Sequence, residues 1–324
     1  MNGARAPRIA LDAVLLLDKP CGPSSNAALQ RARRACGAAK AGHGGTLDPM
    51  ASGLLPVAFG EATKFLHDLL DADKTYEATL RLGASTNTGD AEGTVTAVRP
   101  VTCTEADVRA TCAAFQGEID QVPPMWSALK RDGVPLYAYA REGVELEREA
   151  RRVTVYAIEV LRVTLAEVGG PGAGDGMAAD APPEVVLRVH VSKGTYVRTL
   201  AHDLGERLGC GAHLVALRRL RVGALDVADA VPLHRLESAE PSARAAWLRP
   251  PDALLQRLPR VELPETLAGR FIQGQRLVLD TALRAPLDGA PAGPVRVYLG
   301  ARLIGVADFA PPGRLAPSRV LAAR

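Results

Sequence analysis

A glycine-rich loop, AGHGGTLDPMASG, presents the carboxylate of Asp48 and the imidazole of His43. Glycines let the backbone take positive φ and approach a ligand closely, and an ionised carboxylate held there can act as a nucleophile. An Asp-Pro pair is equally typical of a turn in which the carboxylate accepts a backbone hydrogen bond. The loop lacks the GxxxxGK[ST] and GxGxxG spacings of phosphate-binding loops. Both interpretations of Asp48 stay open at this point.

A second segment, SKGTYVRTLAHDLG, joins a predicted strand to a predicted helix, with Tyr196 and Arg198 at the junction. An arginine can pair bidentately with a carboxylate, and an opposite charge at that distance favours the ionised acid. The alternative is a surface arginine at the start of a helix. Arg198 is therefore a candidate partner for a carboxylate nucleophile.

Two further side chains have both a structural and a functional interpretation. Tyr76 lies in an alternating strand-like segment, where a tyrosine usually belongs to the core, yet its ring can also stack on a base. Lys19 ends the first predicted strand, as a solvated residue or as part of a pocket wall. The chain has no nucleophile-elbow serine and no HExxH motif. No second carboxylate is marked as a glycosidase-type partner of Asp48, although that pairing stays open.

Hydrophobic periodicity and turn residues predict the elements that position these side chains. Predicted strands lie at 14–19, 54–60, 75–83, 94–98, 151–168 (one or two strands) and 184–194. Predicted helices run from 25 to about 36, from 62 to 71, from a Thr104 cap to about Phe115, and from 196 to 209. Strands outnumber crossover helices, so we predict an α+β fold with a mixed, largely antiparallel central sheet and flanking helices.

The chain has 324 residues, 47% of them hydrophobic, and a formal net charge of +3. The length favours two domains, and the hydrophobic fraction allows a sizeable core. After the proline-rich break at 249–251, short strand-like pieces predict a small all-β module from about 255 to 324. Residues 169–183 predict a Gly/Ala/Pro-rich linker loop.

The basic residues occur in short stretches, of which LRRLR at 217–221 is the most uniformly charged. Each stretch is typical of a solvated face, although cations interleaved with Trp126, Tyr137 and Tyr139 would also suit an RNA surface. Five widely spaced cysteines without a CxxC predict reduced thiols, with neither a disulfide framework nor a structural zinc site. No apolar run approaches the ~18 residues of a membrane span, and the N-terminal segment lacks a signal-peptide layout. We therefore expect a cytoplasmic protein.

Five blocks of this sequence together resemble the TruB family of tRNA pseudouridine-55 synthases. They follow one another in the family's order, and with the β-rich tail the resemblance covers nearly the whole chain. The glycine-rich loop is the most specific of them. The blocks are AVLLLDKPCGPSSN, AGHGGTLDPMASGLLPVAFGEATKF, DKTYEATLRLG, PPMWSALKRDGVPLYAYAREG and SKGTYVRTLAHDLGERLGCGAHLVALRRLRVG.

The resemblance implies a pseudouridine synthase fold and a role for each candidate residue. Asp48 becomes the catalytic nucleophile, Arg198 its partner, and Tyr76 the ring that stacks on the flipped uracil. It also implies a catalytic domain at 1–250 with an RNA-gripping insertion, the thumb segment, at about 123–152, and a PUA-type RNA-binding module at 255–324. The other implied substrate contacts are His43, Tyr196, Leu217 and Lys19.

The implied reaction isomerises uridine 55 of the tRNA T arm to pseudouridine. The nucleotide is flipped out, which costs a few kcal/mol, the C–N glycosidic bond breaks, and the uracil is reattached through C5. Whether Asp48 attacks the base or the sugar stays open. Nothing is oxidised and no metal polarises the attacked carbon, so we expect neither a cofactor nor a metal.

The expected partner is the T-arm stem-loop of tRNA, bound by a monomer with no membrane contact and no obligatory protein partner. One alternative is a tRNA-binding or tRNA-folding module whose catalysis is secondary or lost, against which the intact Asp48, Tyr76 and Arg198 argue. Another is a synthase that takes its target from a guide RNA, against which the thumb segment argues. One departure from the family is Gly44, where members often carry Thr, and we expect it to loosen the loop.

Overall fold

The computed structural model describes residues 8–165 and 182–322 of the chain, so most of the predicted linker loop at 169–183 lies outside the described residues. The strands in the described part are β1 (Ala13–Lys19), β2 (Ala41–His43), β3 (Ala51–Phe59), β4 (Lys74–Leu82), β5 (Ala84–Thr86), β6 (Val95–Val98), β7 (Gly117–Gln121), β8 (Lys130–Arg131), β9 (Val134–Pro135), β10 (Arg151–Thr164), β11 (Glu184–Val191), β12 (Ala212–Val222), β13 (Leu225–Asp226), β14 (Val231–Pro232), β15 (Leu248–Arg249), β16 (Arg260–Glu262), β17 (Leu277–Val278), β18 (Gly293–Leu299), β19 (Arg302–Ala310) and β20 (Arg314–Val320).

The helices are short, and some of them begin at a side-chain cap. Ser24 accepts a hydrogen bond from the N–H of Ala27 at the start of the first helix, and Thr104 forms a capping box with Asp107 at the start of the third. The Thr104 cap and the start of the first helix at residue 25 were predicted from the sequence. The α-helices are α1 (Ser25–Ala35), α2 (Leu66–Leu70), α3 (Glu105–Ala114), α4 (Leu136–Arg141), α5 (Val197–Arg207), α6 (Leu233–Ser238), α7 (Pro241–Ala245), α8 (Glu265–Ile272) and α9 (Thr281–Arg284), and 3-10 helices occur at Gly60–Phe65, Val227–Asp229, Pro251–Leu254 and Ala285–Leu287.

The chain divides into two compact units. The first contains the described residues up to Leu47, then Leu55–Leu70, and the chain from Ala224 onward; the second contains Asp48–Leu54 and Asp71–Gly223. The segment that was predicted as a helix at 62–71 is a 3-10 helix followed by the single turn of α2.

The second unit is built on a mixed sheet with the strand order β3-β12-β4-β11-β10-β7, to which β3 contributes its first residues. Only β12 and β3 run parallel; the other neighbours are antiparallel. The predicted mixed, largely antiparallel sheet is therefore confirmed. Of the segment at 151–168, predicted as one or two strands, the described residues contain the single long strand β10, which ends at Thr164, and 166–168 lie outside the described residues. The thumb segment contains the hairpin β8–β9 and helix α4.

The first unit contains two hydrophobic cores. In one, apolar residues of β1 and the second half of β3 pack against α1 and α6. In the other, residues of the sheet β16-β18-β19-β20-β17 pack around Phe271 of α8. The predicted C-terminal β module is this five-stranded sheet, and it also carries α8 and α9, which the sequence analysis missed.

Within the described residues, no helix has both the length and the apolar character to cross a membrane.

Candidate active site

The glycine-rich loop places Asp48 immediately before β3. Ala51, the first residue of β3, donates its N–H to the Asp48 carbonyl at 3.1 Å, which closes a turn. The carboxylate stays 39% exposed. Asp48 therefore belongs to a turn that its main-chain carbonyl closes, and its side chain is still partly exposed.

Arg198, at the start of α5, contacts this carboxylate. Its Nε lies 3.1 Å from Asp48 Oδ2, and its side chain is only 6% exposed. An opposite charge at this distance stabilises an ionised carboxylate, and a cation that is screened from water does so more strongly. The structure thus joins the two residues that the sequence singled out independently.

The remaining nitrogens of the Arg198 guanidinium bind other groups of the second unit. Nη1 donates to the Thr88 carbonyl at 2.9 Å, and Nη2 donates to the Trp126 carbonyl at 2.6 Å. Nη1 also lies 3.6 Å from Asp90 Oδ2. Because Nε, Nη1 and Nη2 each face a different partner, the plane of the guanidinium is fixed.

Asp90 is a buried carboxylate in the loop after β5. Its Oδ1 accepts from Thr88 Oγ1 at 2.6 Å and from the Glu92 N–H at 3.1 Å. Gly89, with a φ of +76°, lets this loop approach α5, because a Cβ there would sit 3.3 Å from Arg198 Cβ. The loop therefore packs closely against the arginine that it binds.

Tyr196 precedes α5 and lies close to the ion pair. Its N–H donates to Gln121 Oε1 at 3.0 Å. Burial raises the pKa of the Tyr196 hydroxyl; among the neighbouring charges, that of Arg198 lowers this pKa and that of Asp48 raises it. The hydroxyl therefore lies within the electrostatic range of both members of the pair.

Tyr76 and Leu217 lie on one face of the sheet. Arg219 of β12 is directly opposite Tyr76 of β4, and Leu217 is directly opposite Ala51 of β3. Directly opposed residues, and residues two apart on one strand, point to the same face. The register therefore places Tyr76, Arg219 and Leu217 together, beside the residue whose N–H binds Asp48.

Arg219 is buried, with 1% of its surface exposed. Its Nε donates to the Leu54 carbonyl at 2.8 Å. Gly53, opposite Arg219, has a φ of +101°, and a Cβ there would sit 2.3 Å from the Arg219 carbonyl oxygen. The interpretation of LRRLR as a solvated face is therefore wrong for Arg219.

Lys19 and His43 belong to the first unit. Lys19, at the end of β1, is fully buried, and its Nζ donates to the carbonyls of Pro20 at 2.9 Å and Pro23 at 2.8 Å. His43 ends β2 opposite Val57 of β3 and is half-buried. Lys19 thus stabilises the turn that follows β1.

Gly44 does not loosen the glycine-rich loop. The residue is buried, and a Cβ at its position would sit 2.7 Å from Leu69 Cδ1 and 3.3 Å from Leu69 Cβ. Its N–H donates to the Pro56 carbonyl at 2.8 Å. The expectation from the sequence was wrong, because Leu69 packs closely into the space that a side chain at position 44 would occupy.

Four groups around the site were missed as site components by the sequence analysis: the Asp90 carboxylate, the Trp126 carbonyl, the Gln121 amide and the Arg219 guanidinium. The first three reach the site from positions far away in the chain, and such long-range contacts leave no spacing signal. Arg219 had a signal, because every second residue of a strand faces inward, but its strand was not recognised.

The arrangement combines an accessible carboxylate, a fixed cation behind it, an aromatic ring and an aliphatic side chain. Such a carboxylate can form a covalent bond to an electrophilic carbon. The ring of Tyr76 offers a flat surface on which a base can stack. The site is therefore suited to nucleophilic chemistry on a nucleotide.

Three family models match consecutive parts of the chain. The TruB family pseudouridylate synthase N-terminal domain matches residues 33–197, the tRNA pseudouridylate synthase B C-terminal domain matches 198–256, and the pseudouridine synthase II TruB C-terminal domain matches 259–321. A chain in the archaeal box H/ACA sRNP Nop10–Cbf5 complex is similar in structure, with a TM-score of 0.68 at 25% identity over 96% of this chain and 86% of that one.

Relatives with assigned names are similar over almost the full length. The tRNA pseudouridine synthase B of Burkholderia lata is 57% identical over 98% of this chain and 92% of its own length. That of Ralstonia nicotianae is 56% identical over 98% of this chain and 96% of its own. The N-terminal family model matches residues 33–197, and the two relatives are similar over almost the full length of the chain. The chain therefore belongs to the TruB family of pseudouridine synthases.

Proposed function

We propose that this enzyme converts uridine 55, in the T arm of tRNA, to pseudouridine, with Asp48 as the nucleophile. The observation that carries the proposal is the pair formed by a partly exposed Asp48 carboxylate and a buried Arg198 guanidinium, 3.1 Å apart. The names of the two relatives, tRNA pseudouridine synthase B, support tRNA as the substrate.

The proposed reaction is an isomerisation in which atoms and charge balance. Asp48 forms a covalent bond to the flipped nucleotide, and the bond between C1′ and N1 breaks. The uracil turns, and a bond forms between C1′ and C5. The bond to Asp48 breaks and regenerates the free carboxylate, the C5 proton passes to solvent, and N1 acquires a proton. No electron acceptor is involved, so neither a redox cofactor nor a metal is part of the proposal.

The other site residues have roles in binding the flipped base. Stacking on Tyr76 is worth about 1–3 kcal/mol, which offsets much of the few kcal/mol that extrusion costs. Leu217, on the same face of the sheet, would shield the intermediate from water. Tyr196 would contact the substrate beside the ion pair. His43 would contact the RNA where the base leaves its stack, and Lys19 would support the pocket wall.

We further propose a catalytic domain up to about residue 250, with the thumb segment at 123–152, and an RNA-binding role for the module after 255. The break between family matches, from 256 to 259, supports this division. We also propose that the protein acts as a monomer in the cytoplasm, without a protein partner.

The experiment is tritium release from a T-arm stem-loop labelled at uridine C5, with EDTA present and no other protein. The variants are Asp48→Asn and, as a matched control, Asp229→Asn at an exposed position that ends the 3-10 helix Val227–Asp229. We expect release by the wild type and the control and none by Asp48→Asn, although all three bind the RNA.

Other outcomes separate the alternatives. Release from whole tRNA but not from the stem-loop would contradict recognition of the T arm alone. Release only in the presence of a guide RNA would indicate a guide-dependent synthase. No release from any substrate, with RNA binding intact, would leave a tRNA-binding or tRNA-folding module in which catalysis is lost.

A further inference from the structure

Gln121, the last residue of β7, holds the residue that begins α5. Its side chain is almost fully buried, and the residue is 2% exposed. Gln121 Oε1 accepts from the Tyr196 N–H at 3.0 Å, and Gln121 Nε2 donates to the Tyr196 carbonyl at 3.3 Å. The amide thus binds both main-chain groups of Tyr196, as a neighbouring strand would.

The first turn of α5 depends on this contact. Tyr196 is the N-cap residue, and its own side chain makes no capping hydrogen bond. The first N–H groups of a helix have no partner within the helix, and an amide oxygen from elsewhere in the chain supplies one here. The Tyr196 carbonyl also accepts the first helical bond, from the Leu200 N–H at 3.0 Å.

Arg198 lies two residues beyond this clamp. The start of the first turn sets the position of the Arg198 Cα. From there the side chain reaches Asp48, and Arg198 Nε lies 3.1 Å from Asp48 Oδ2. The Tyr196 hydroxyl, whose pKa responds to the charges of Arg198 and Asp48, is attached to the clamped residue itself. Two proposed site residues therefore take their position from one buried amide.

The Gln121 amide also lies beside the start of the thumb segment. Gln121 directly precedes Val122 and Pro123, where the chain leaves β7, and Nη2 of Arg198 binds the carbonyl of Trp126 at 2.6 Å. The start of the thumb segment and the start of α5 are thus joined at two points. Both joints lie within the second unit.

We propose that Gln121 is a positioning residue for the pseudouridylation reaction: its amide fixes Tyr196 and the first turn of α5, and thereby the position from which Arg198 holds Asp48. The inference rests on the proposed function of Asp48. The Gln121 amide binds the main chain of Tyr196 on both sides, so we assign it an action through α5.

The test uses two substitutions at this position and one control in the full-length chain. Gln121→Met keeps the length of the side chain and removes both hydrogen bonds. Gln121→Glu keeps the acceptor for the Tyr196 N–H and, when ionised, lacks the donor for the carbonyl. Gln116→Met, at an exposed position just before β7, is the matched control. Single-turnover tritium release, the Kd for the stem-loop and the folded fraction are measured for each.

For Gln121→Met we expect a single-turnover rate per folded molecule that is lower by roughly tenfold or more, because a small misplacement of a catalytic group has effects of this size. The Kd should stay within about twofold of the wild type, since the amide makes no RNA contact in this scheme. Gln121→Glu should fall between Gln121→Met and the wild type, and Gln116→Met should match the wild type.

A wild-type rate per folded molecule in Gln121→Met, with only its stability reduced, would overturn the inference and leave a purely structural residue. A loss confined to the Kd would overturn it as well. If Gln121→Met does not fold, the rate per folded molecule and the Kd of Gln121→Glu are compared with those of the wild type instead, and a wild-type rate in that variant overturns the inference. A wild type that releases no tritium contradicts the proposed function itself, whereas an active wild type with an equally active Gln121→Glu contradicts only the role of Gln121.

Discussion

Arg198 Nη1 lies 3.6 Å from Asp90 Oδ2, and both side chains are nearly buried, at 6% and 5% exposure. The guanidinium therefore has one carboxylate inside the protein and a second, that of Asp48, which is partly exposed. Burying a cation is costly unless it is paired and hydrogen-bonded. Asp90 and the two carbonyls meet that requirement, so the side of the arginine that faces Asp48 is held in place before RNA binds.

Arg198→Lys should lower the single-turnover rate by about a hundredfold, because one ammonium cannot replace three nitrogens that bind separate partners. RNA affinity should change little, since the arginine is buried behind the carboxylate. The measurement is tritium release with enzyme in excess, beside the Kd for the stem-loop. Arg207→Lys, at the exposed end of the same helix, is the control. Equal rates for Arg198→Lys and the wild type would show that the ion pair is not needed.

Gly53→Ala should lower the free energy of unfolding by about 3 kcal/mol, since the new Cβ would collide with the main chain of Arg219. The control is Gly22→Ala, because Gly22 has nearly the same φ, +102° against +101°, but a Cβ added there would meet no atom within 4 Å. That variant carries only the cost of positive φ, about 1 kcal/mol. Urea unfolding of both checks the difference. Equal losses would mean that the sheet adjusts at Gly53.

Lys74 should make stability depend on pH between about 8 and 10. Burial, aided by the nearby charge of Arg219, lowers the pKa of Lys74 from 10.5 to about 8. Between those values the unfolded chain binds more protons than the folded protein, so stability rises with pH; below pH 8 the lysine is charged in both states and the burial cost is greatest. From pH 8 to 10 the wild type should therefore gain about 2 kcal/mol relative to Lys74→Met.

Urea unfolding of the wild type and Lys74→Met at several pH values tests this expectation, because the other titrating groups cancel in the difference between them. A difference that does not change from pH 8 to 10 would show that Lys74 keeps an ordinary pKa in the folded protein.

Asp68→Asn should lower the free energy of unfolding by about 1–2 kcal/mol, since it leaves a charged partner without its carboxylate. Arg319 Nη1 lies 2.6 Å from Asp68 Oδ2, and the Asp68 side chain is mostly buried. The control is Asp288→Asn, because Asp288 is exposed and 3.9 Å from Arg284 Nε; its loss should stay within about 0.5 kcal/mol. Chemical denaturation of both variants measures the contrast, and a loss no greater than the control's would contradict it.

The sequence was informative wherever the signal was local. The alternation in β4, the Thr104 capping box and the helix start at Ser24 each depend on residues within a few positions of one another. The same holds for the turn at Asp48, which the Asp-Pro pair predicted and which the hydrogen bond from the Ala51 N–H to the Asp48 carbonyl closes.

The site contacts that could not be predicted from the sequence join residues that are far apart in the chain. Gln121 meets Tyr196 across 75 positions, and Arg198 meets the Trp126 carbonyl across 72. In β12 the register shifts between Leu214 and Ala216 and again between Arg219 and Arg221. These irregularities leave only a short regular stretch, so the strand was not recognised and a run of arginines was taken for a surface although its central member is buried.

The closest acceptors of Nη1 and Nη2 of Arg198 are main-chain oxygens, those of Thr88 and Trp126. Any residue at position 126 presents the same oxygen, so this contact of Arg198 does not depend on the Trp126 side chain. Mutational change in the thumb segment thus falls into two classes. Substitutions that keep the chain path leave the Trp126 carbonyl in place and should preserve turnover, whereas insertions or deletions that shift the path should disturb turnover directly.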